Sequence, residues 1–280
     1  MNIKQAVELT TAKLSANSDS ANLDARILAC YACGISQTKL ITEPGRELSN
    51  ENESNLTAYI ERRAKGEPLA YIIGKKEFWS LDFIVNPHVL IPRPETELLV
   101  ELTLEAISTI ETPRILELGT GSGAIAISIA KERSDCLITA TDISKPALEV
   151  AKVNAEKHNA EIILIQSNWY EHLTVGQSDK KYHAIVCNPP YIANNDSNIA
   201  PHVALHEPNS ALFSKKNGLQ DLETVISNAK TYLAAKGALL VEHGFQQANY
   251  VKEQFTNANY SNICTHKDLA GHPRCTTANK

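Results

Sequence analysis

The chain has 280 residues, 43% of them hydrophobic, enough for a substantial core divided between a small domain and one of ordinary size, or held as one domain. Lys and Arg number 27 against 32 Asp and Glu, and the net charge of -5 disfavours a protein that lives on the phosphate backbone of DNA. No apolar run approaches the roughly 18 to 20 residues that span a bilayer, and MNIKQAVELTTAKL at the start lacks an apolar signal core, so no membrane association and a cytoplasmic location are expected.

From Met1 to about Gly74 apolar residues recur at three- and four-residue spacing, as at Leu56, Tyr59 and Ile60, between the polar breaks SANSDS and EPGREL. A small helical domain over residues 1–75 follows. Cys30 and Cys33 form a C-x-x-C inside this helical pattern, with no second pair to complete a zinc site, and read as small buried residues. Next, FWSLDFIVNPHVLI places Trp79, Leu81, Phe83 and Val85 on one face and Ser80, Asp82 and Asn86 on the other, with a turn marked by Asn86-Pro87. This predicts a β-hairpin linker over residues 76–93. PRPETE then opens a helix carrying Leu98, Leu99, Leu102 and Leu104, at the start of a second domain over residues 94–280.

Beyond Arg114, strand-like and helix-like segments alternate: RILEL, a helix from about Ala124, CLITATD, a helix from Ser144 to Asn159, EIILIQ, YHAIVC, a helix from Gly218, and GALLVE. Such alternation predicts an α/β fold, a mostly parallel sheet with helices on both faces. The loop from Ile192 to about Phe213 is long and polar, as a lid or binding element is, disorder being the alternative. Within it His202 and His206 stand four apart, without the Glu of H-E-x-x-H or an evident third ligand, so no metal is expected.

Two stretches carry chemistry. ILELGTGSGAIAISIA is a strand, a turn through Gly119, Thr120, Gly121, Ser122 and Gly123, and an apolar helix; the glycines let the backbone pass close to a ligand. It also fits G-x-G-x-x-A, so a dinucleotide site must be weighed, and the glycines alone do not decide. Glu117, at the strand's carboxyl end, complements a ligand ammonium and repels a pyrophosphate, which favours an amino-acid-bearing cofactor. Asp142 ends the next strand as an acceptor for a ribose hydroxyl pair, and Trp169 can lie against an adenine face or pack in the core. The other stretch is AIVCNPPY, where Asn188, Pro189, Pro190 and Tyr191 stop a buried strand in a rigid polar corner. The Asn188 side-chain carbonyl and the Pro189 carbonyl are two fixed acceptors suited to an NH₂ group on a planar substrate, on which Tyr191 can stack.

The glycine turn followed by N-P-P-Y resembles class I S-adenosylmethionine-dependent methyltransferases of planar nitrogens, which include adenine-N6 nucleic-acid enzymes and glutamine-N5 protein enzymes. Two longer segments, GEPLAYIIGKKEFWSLDFIVNPHVLIPRPETE (66–97) and LVEHGFQQ (240–247), resemble the peptide chain release factor glutamine-N5 methyltransferases, the PrmC or HemK family. The resemblance implies a Rossmann-like seven-stranded methyltransferase sheet, a helical N-terminal domain that helps grip the release factor, and methylation of the glutamine in the Gly-Gly-Gln loop. It implies S-adenosyl-L-methionine at Gly119 to Gly123, Asp142, Trp169 and Asn188, and the glutamine amide at Asn188 to Tyr191. Asn168 departs from the aspartate expected before Trp169; its carbonyl still accepts from an adenine amino group, without the charge. HPRCTTA resembles the family's closing strand. The alternative is an adenine-N6 enzyme acting on DNA or RNA, served by Arg62, Arg63, Lys65, Lys75 and Lys76. That cluster reads more simply as a solvated face, the acidic balance supplies no target-recognition region, and no stable nucleic-acid binding is expected. Arg93 reads either as a partner contact or as a solvated arginine before a helix.

Overall fold

Short polar side chains cap the helices that follow Asn2, Ser36 and Ser49 in the N-terminal unit. Asn2 and Gln5 form a capping box on α1 (Ile3–Leu14), and Gly34, at φ 61°, closes α2 (Ala21–Cys33). Ser36 and Ser49 cap α3 (Gln37–Thr42) and α4 (Asn50–Ala64), and α5 (Leu69–Ile73) completes the set. Ile3, Leu14, Leu28 and Leu56 form its core. The computed structural model describes residues 1–280 except 17, 175–180 and 197–198, and it divides into two units: Met1–Lys75 with Ala200–His206, and Lys76–Ile199 with Glu207–Lys280.

The cations read as a solvated face in the first unit are partly committed to ion pairs. Arg63 Nε donates to Oδ2 of buried Asp24 at 2.8 Å, and the Ser18 and Ser20 hydroxyls donate to the same carboxylate. Arg62 Nε donates to Glu67 at 2.8 Å. Arg63 is therefore a structural charge, because a buried carboxylate is stable only when paired. Cys30 and Cys33 are half-buried free thiols on α2, pushed up by burial.

The hairpin consists of β1 (Lys75–Phe78) and β2 (Leu81–Ile84), and its turn is Trp79-Ser80, with φ of 51° and 59°. Asn86-Pro87, where the sequence predicts the hairpin turn, forms a separate turn closed by Val89 N–H donating to Asn86 O. Side-chain bonds hold the two left-handed residues: Trp79 N–H donates to Glu97 and its indole to Glu132, both at 2.7 Å, and Ser80 N–H donates to Glu77.

After a 3-10 turn at Pro94–Thr96 come α6 (Glu97–Ala106), β3 (Arg114–Leu118), α7 (Ala124–Glu132) and β4 (Leu137–Asp142). They are followed by α8 (Lys145–His158), β5 (Ile162–Gln166) and β6 (Tyr182–Cys187). Ser144 caps α8 and Asn159 ends it in the left-handed region, as its boundaries in the sequence predict. The stretch read as a long loop is partly built. It holds β7 (Ile192–Ala193), α9 (Pro201–His206, within the N-terminal unit) and α10 (Asn209–Leu212), and β7 pairs in parallel with β8 (Phe213–Ser214). Residues 197 and 198 of that stretch lie outside the described residues. The chain ends with α11 (Lys215–Gly218), α12 (Gln220–Tyr232), β9 (Leu233–Glu242), α13 (Ala248–Asn257), β10 (Ser261–Lys267) and β11 (Pro273–Asn279).

Seven strands make one sheet in the order β10-β11-β9-β6-β3-β4-β5, parallel from β9 to β5 and antiparallel at β11 and β10. Alternate side chains feed two cores: Ile115, Ala184 and Val186 face one, Leu116, Ile185 and Cys187 the other. Fully buried Asn154 on α8 joins the hairpin to the glycine turn. Its Oδ1 accepts from Ile84 N–H at 2.7 Å, and its Nδ2 donates to the Ile84 and Ser122 carbonyls at 2.9 Å. Asn154→Ala leaves those backbone groups unpaired in a dry site and is expected to lower the unfolding free energy by about 3 kcal/mol, read from urea denaturation.

Candidate functional site

Parallel neighbours in register bring the ends of three strands together: Leu118 pairs with Thr141 on one side and Cys187 on the other. Glu117, Asp142 and Asn188 therefore converge around one cavity of about 210 Å³. Gly119, Thr120, Gly121 and Ser122 line it as well, together with Asn168, Trp169 and Pro190. Gly123, Pro189 and Tyr191 stand outside its wall. Gly123, at φ 83°, packs helix on helix: a Cβ there would sit 2.8 Å from Ile127 Cδ1 and 3.4 Å from Ala151 Cβ.

Glu117 is 1% exposed. Its Oε2 accepts from Thr120 Oγ1 at 2.6 Å and from Ala126 N–H at 3.1 Å, while Oε1 has no partner among the described residues. Burial pushes the carboxyl up to about 8, the two hydrogen bonds opposing and Asp142 adding to the rise. Asp142 accepts from Gly121 N–H on Oδ2 and from Ser144 N–H on Oδ1, each at 2.8 Å, and burial raises it too. Trp169, at φ 50°, holds its indole on Asp221 Oδ1 at 3.2 Å, with its ring 3.8 Å from where a Cβ of Gly119 would stand. Asn168 Nδ2 donates to Glu171 at 2.7 Å, which assigns its Oδ1 as the acceptor.

On the other side, Asn188 Nδ2 donates to buried Thr96 Oγ1 at 3.2 Å, so its Oδ1 is the atom left to accept. Tyr191, expected to stack on a planar substrate, forms no part of the wall; burial raises its phenol and its hydroxyl donates to Glu242 at 3.2 Å. Arg93, with its side chain a third exposed, pairs with buried Glu207 at 2.5 Å, and Glu207 also accepts from Ile91 N–H at 3.1 Å. The pair ties two stretches of cavity wall together, Leu90 to Thr96 and Pro208 to Phe213. Sequence reasoning missed His88, Thr96, Glu207 and Asp221. Of these His88 and Thr96 lay in the segment 66–97 and Glu207 in the polar loop from Ile192, but none carried a signal of its own.

The PrmC N-terminal domain family matches residues 5–74, and the methyltransferase small domain family matches residues 95–253. A release factor glutamine methyltransferase of Coxiella burnetii is 41% identical over 100% of this chain and 99% of its own length. Another, of Burkholderia pseudomallei, is 41% identical over 98% of this chain and 97% of its own. The chain belongs to the release factor glutamine methyltransferases. It is thus an S-adenosyl-L-methionine-dependent enzyme with an α/β, seven-stranded sheet behind a helical N-terminal region. The crystal structure of a methyltransferase from Pyrococcus furiosus shares the fold, with a TM-score of 0.52 and 20% identity over 81% of this chain and 98% of that one.

His202 and His206 lie on α9 near Gly66, and among the described residues no group of three His, Cys, Asp or Glu side chains has the arrangement of a metal site. Among the same residues no helix is long and apolar enough to cross a membrane.

Because burial raises Glu117 from 4.5 to about 8, the folded protein holds a proton that the unfolded chain has released at neutral pH. The stability this contributes is full below about pH 4.5 and is lost as the pH rises through about 8. Glu117→Gln is expected to flatten the decline of unfolding free energy between about pH 5 and about pH 8, measured by urea titration at each pH; parallel curves for variant and wild type would overturn the assignment.

Proposed function

We propose that this chain transfers a methyl group from S-adenosyl-L-methionine to the side-chain amide nitrogen, N5, of the glutamine in the Gly-Gly-Gln loop of peptide chain release factors. The supporting observation is the fixed polarity of Asn188. With Nδ2 committed to Thr96, Oδ1 is the acceptor at the cavity, suited to an N–H of a planar amide.

The donor set fits the cofactor. Glu117 Oε1 without a protein partner is an acceptor for an ammonium, and a carboxylate raised by burial is stabilised in its charged form by a cation beside it. Asp142 accepts ribose hydroxyls, while Asn168 Oδ1 and the Trp169 ring receive the adenine. Gly119 to Ser122 leave room for close approach. Gly123 supports the same turn from behind. When bound, S-adenosylmethionine supplies a methyl group on a positively charged sulfur.

The chain's own residues then act by placement. Asn188 Oδ1 and the Pro189 carbonyl hold the amide hydrogens, which points the nitrogen lone pair along one direction, and proline's locked φ keeps that direction fixed. Pro190 forms the adjoining wall and Tyr191 anchors the corner. Arg93 and Glu207 keep two wall segments joined, limiting water around the nitrogen. In this reading the helical N-terminal unit contacts the release factor, and the enzyme works in the cytoplasm, where translation ends. The adenine-N6 reading is weakened by the pairing of Arg62 with Glu67 and of Arg63 with Asp24.

Labelled methyl transfer to a release factor, to its loop Gln→Ala variant, and to single- and double-stranded DNA tests this. Label is expected on the loop glutamine and absent from the variant; label on adenine would overturn the reading. Asn188→Ala is expected to slow transfer about a hundredfold or more while cofactor binding, measured by calorimetry, is partly kept.

A further inference from the structure

The segment LVEHGFQQ has no place in the cavity wall, yet two of its side chains grip the corner that does. Glu242, at the end of β9, is 2% exposed and takes the Tyr191 hydroxyl on Oε1. Its other oxygen, Oε2, is buried with no hydrogen-bond partner among the described residues. Gln247, five residues on, donates from Nε2 to the Tyr191 carbonyl at 2.9 Å and accepts from Gly244 N–H on Oε1 at 2.9 Å. Its amide is therefore oriented, because the Gly244 donor fixes which end faces Tyr191. Gly218, at φ 87°, closes the same contact from the other side: a Cβ there would fall 2.2 Å from the Tyr191 carbonyl oxygen. His243 does not join the grip, bonding Thr276 Oγ1 at 2.9 Å.

We infer that Glu242 and Gln247 are positioning residues for amide methylation, clamping Tyr191 by its hydroxyl and its carbonyl so that the Asn188 and Pro189 acceptors stand still. The clamp rests on the reading that this corner holds the glutamine amide. Two fixed prolines stiffen the corner internally, but a rigid peptide unit still swings as a body unless its far end is tied. Tyr191 is that end, and both ties come from one segment. Burial pushes the Glu242 carboxyl up to about 7, with the Tyr191 hydroxyl opposing the rise.

The test uses the full chain with a release factor as substrate. Gln247→Glu keeps the acceptor for Gly244 N–H and replaces the donor to Tyr191 with an oxygen; Gln247→Met, of similar size, removes both. Each is expected to lower kcat about tenfold or more, with KM for the release factor and the cofactor Kd within about threefold of wild type. Glu242→Met, of similar size and without an acceptor for the Tyr191 hydroxyl, is expected to do the same. Unchanged kcat in all three overturns the inference. So does a loss of kcat matched by equal losses of cofactor affinity and thermal stability, which marks a purely structural role. Asn188→Ala is run beside them: if it keeps the wild-type rate, the corner itself is misassigned, and if it is inactive while the Gln247 and Glu242 variants turn over normally, the clamp alone fails.

Discussion

Strand order is the constraint from which the site follows. β3 lies inside the sheet with β4 on one side and β6 on the other, so the chain leaves its carboxyl end in one direction and the later strands fill the other. A crevice must open where those paths part. Glu117, Asp142 and Asn188 sit on or just past the three strand ends, and that position leaves Glu117 buried and Asp142 half-buried before anything binds. Backbone N–H groups of the adjoining turns meet them, but hydrogen bonds offset only part of the cost of removing charge from water. On the proposed reading the two raised carboxyls receive the ammonium and the ribose hydroxyls of the cofactor.

Methylating a primary amide is a hard case for acid-base catalysis, since the nitrogen lone pair is delocalised into the carbonyl. Geometry has to supply what basicity does not. On the proposed reading the corner at Asn188 meets that need with a few fixed directions, and the surrounding layer adds more: Thr96 on the side chain, Gln247 on the backbone, Glu242 on the tyrosine. The polar atoms around the corner thus hold one another before any substrate arrives.

What the sequence made legible was local. Ser144 and Asn159 bracket α8 because cap residues act within a turn or two, and the strands from β3 to β6 are readable because they are short apolar runs between polar breaks. The hairpin turn was not, since Trp79 and Ser80 lack the Gly or Asn that marks left-handed pairs, and it is held by Glu97 and Glu132, 18 and 53 residues away. Elements as short as β7 and α10 have too few residues to show a period. The glycine turn and the N-P-P-Y corner were legible as motifs. Their supports were not, because Thr96 meets Asn188 across 92 residues and Gln247 meets Tyr191 across 56, and a sequence records no such pairing.

The path of the chain has a consequence for how such enzymes are inherited. Ala200–His206 belongs to the N-terminal unit, although residues on both sides of it belong to the other. The small unit is therefore not a bead hung on one string. Recombination that exchanged only the first 75 residues would bring in a bundle whose missing piece is encoded far downstream, in a gene half shaped beside a different bundle. A graft at the hairpin would therefore exchange only part of the unit that Ala200–His206 completes.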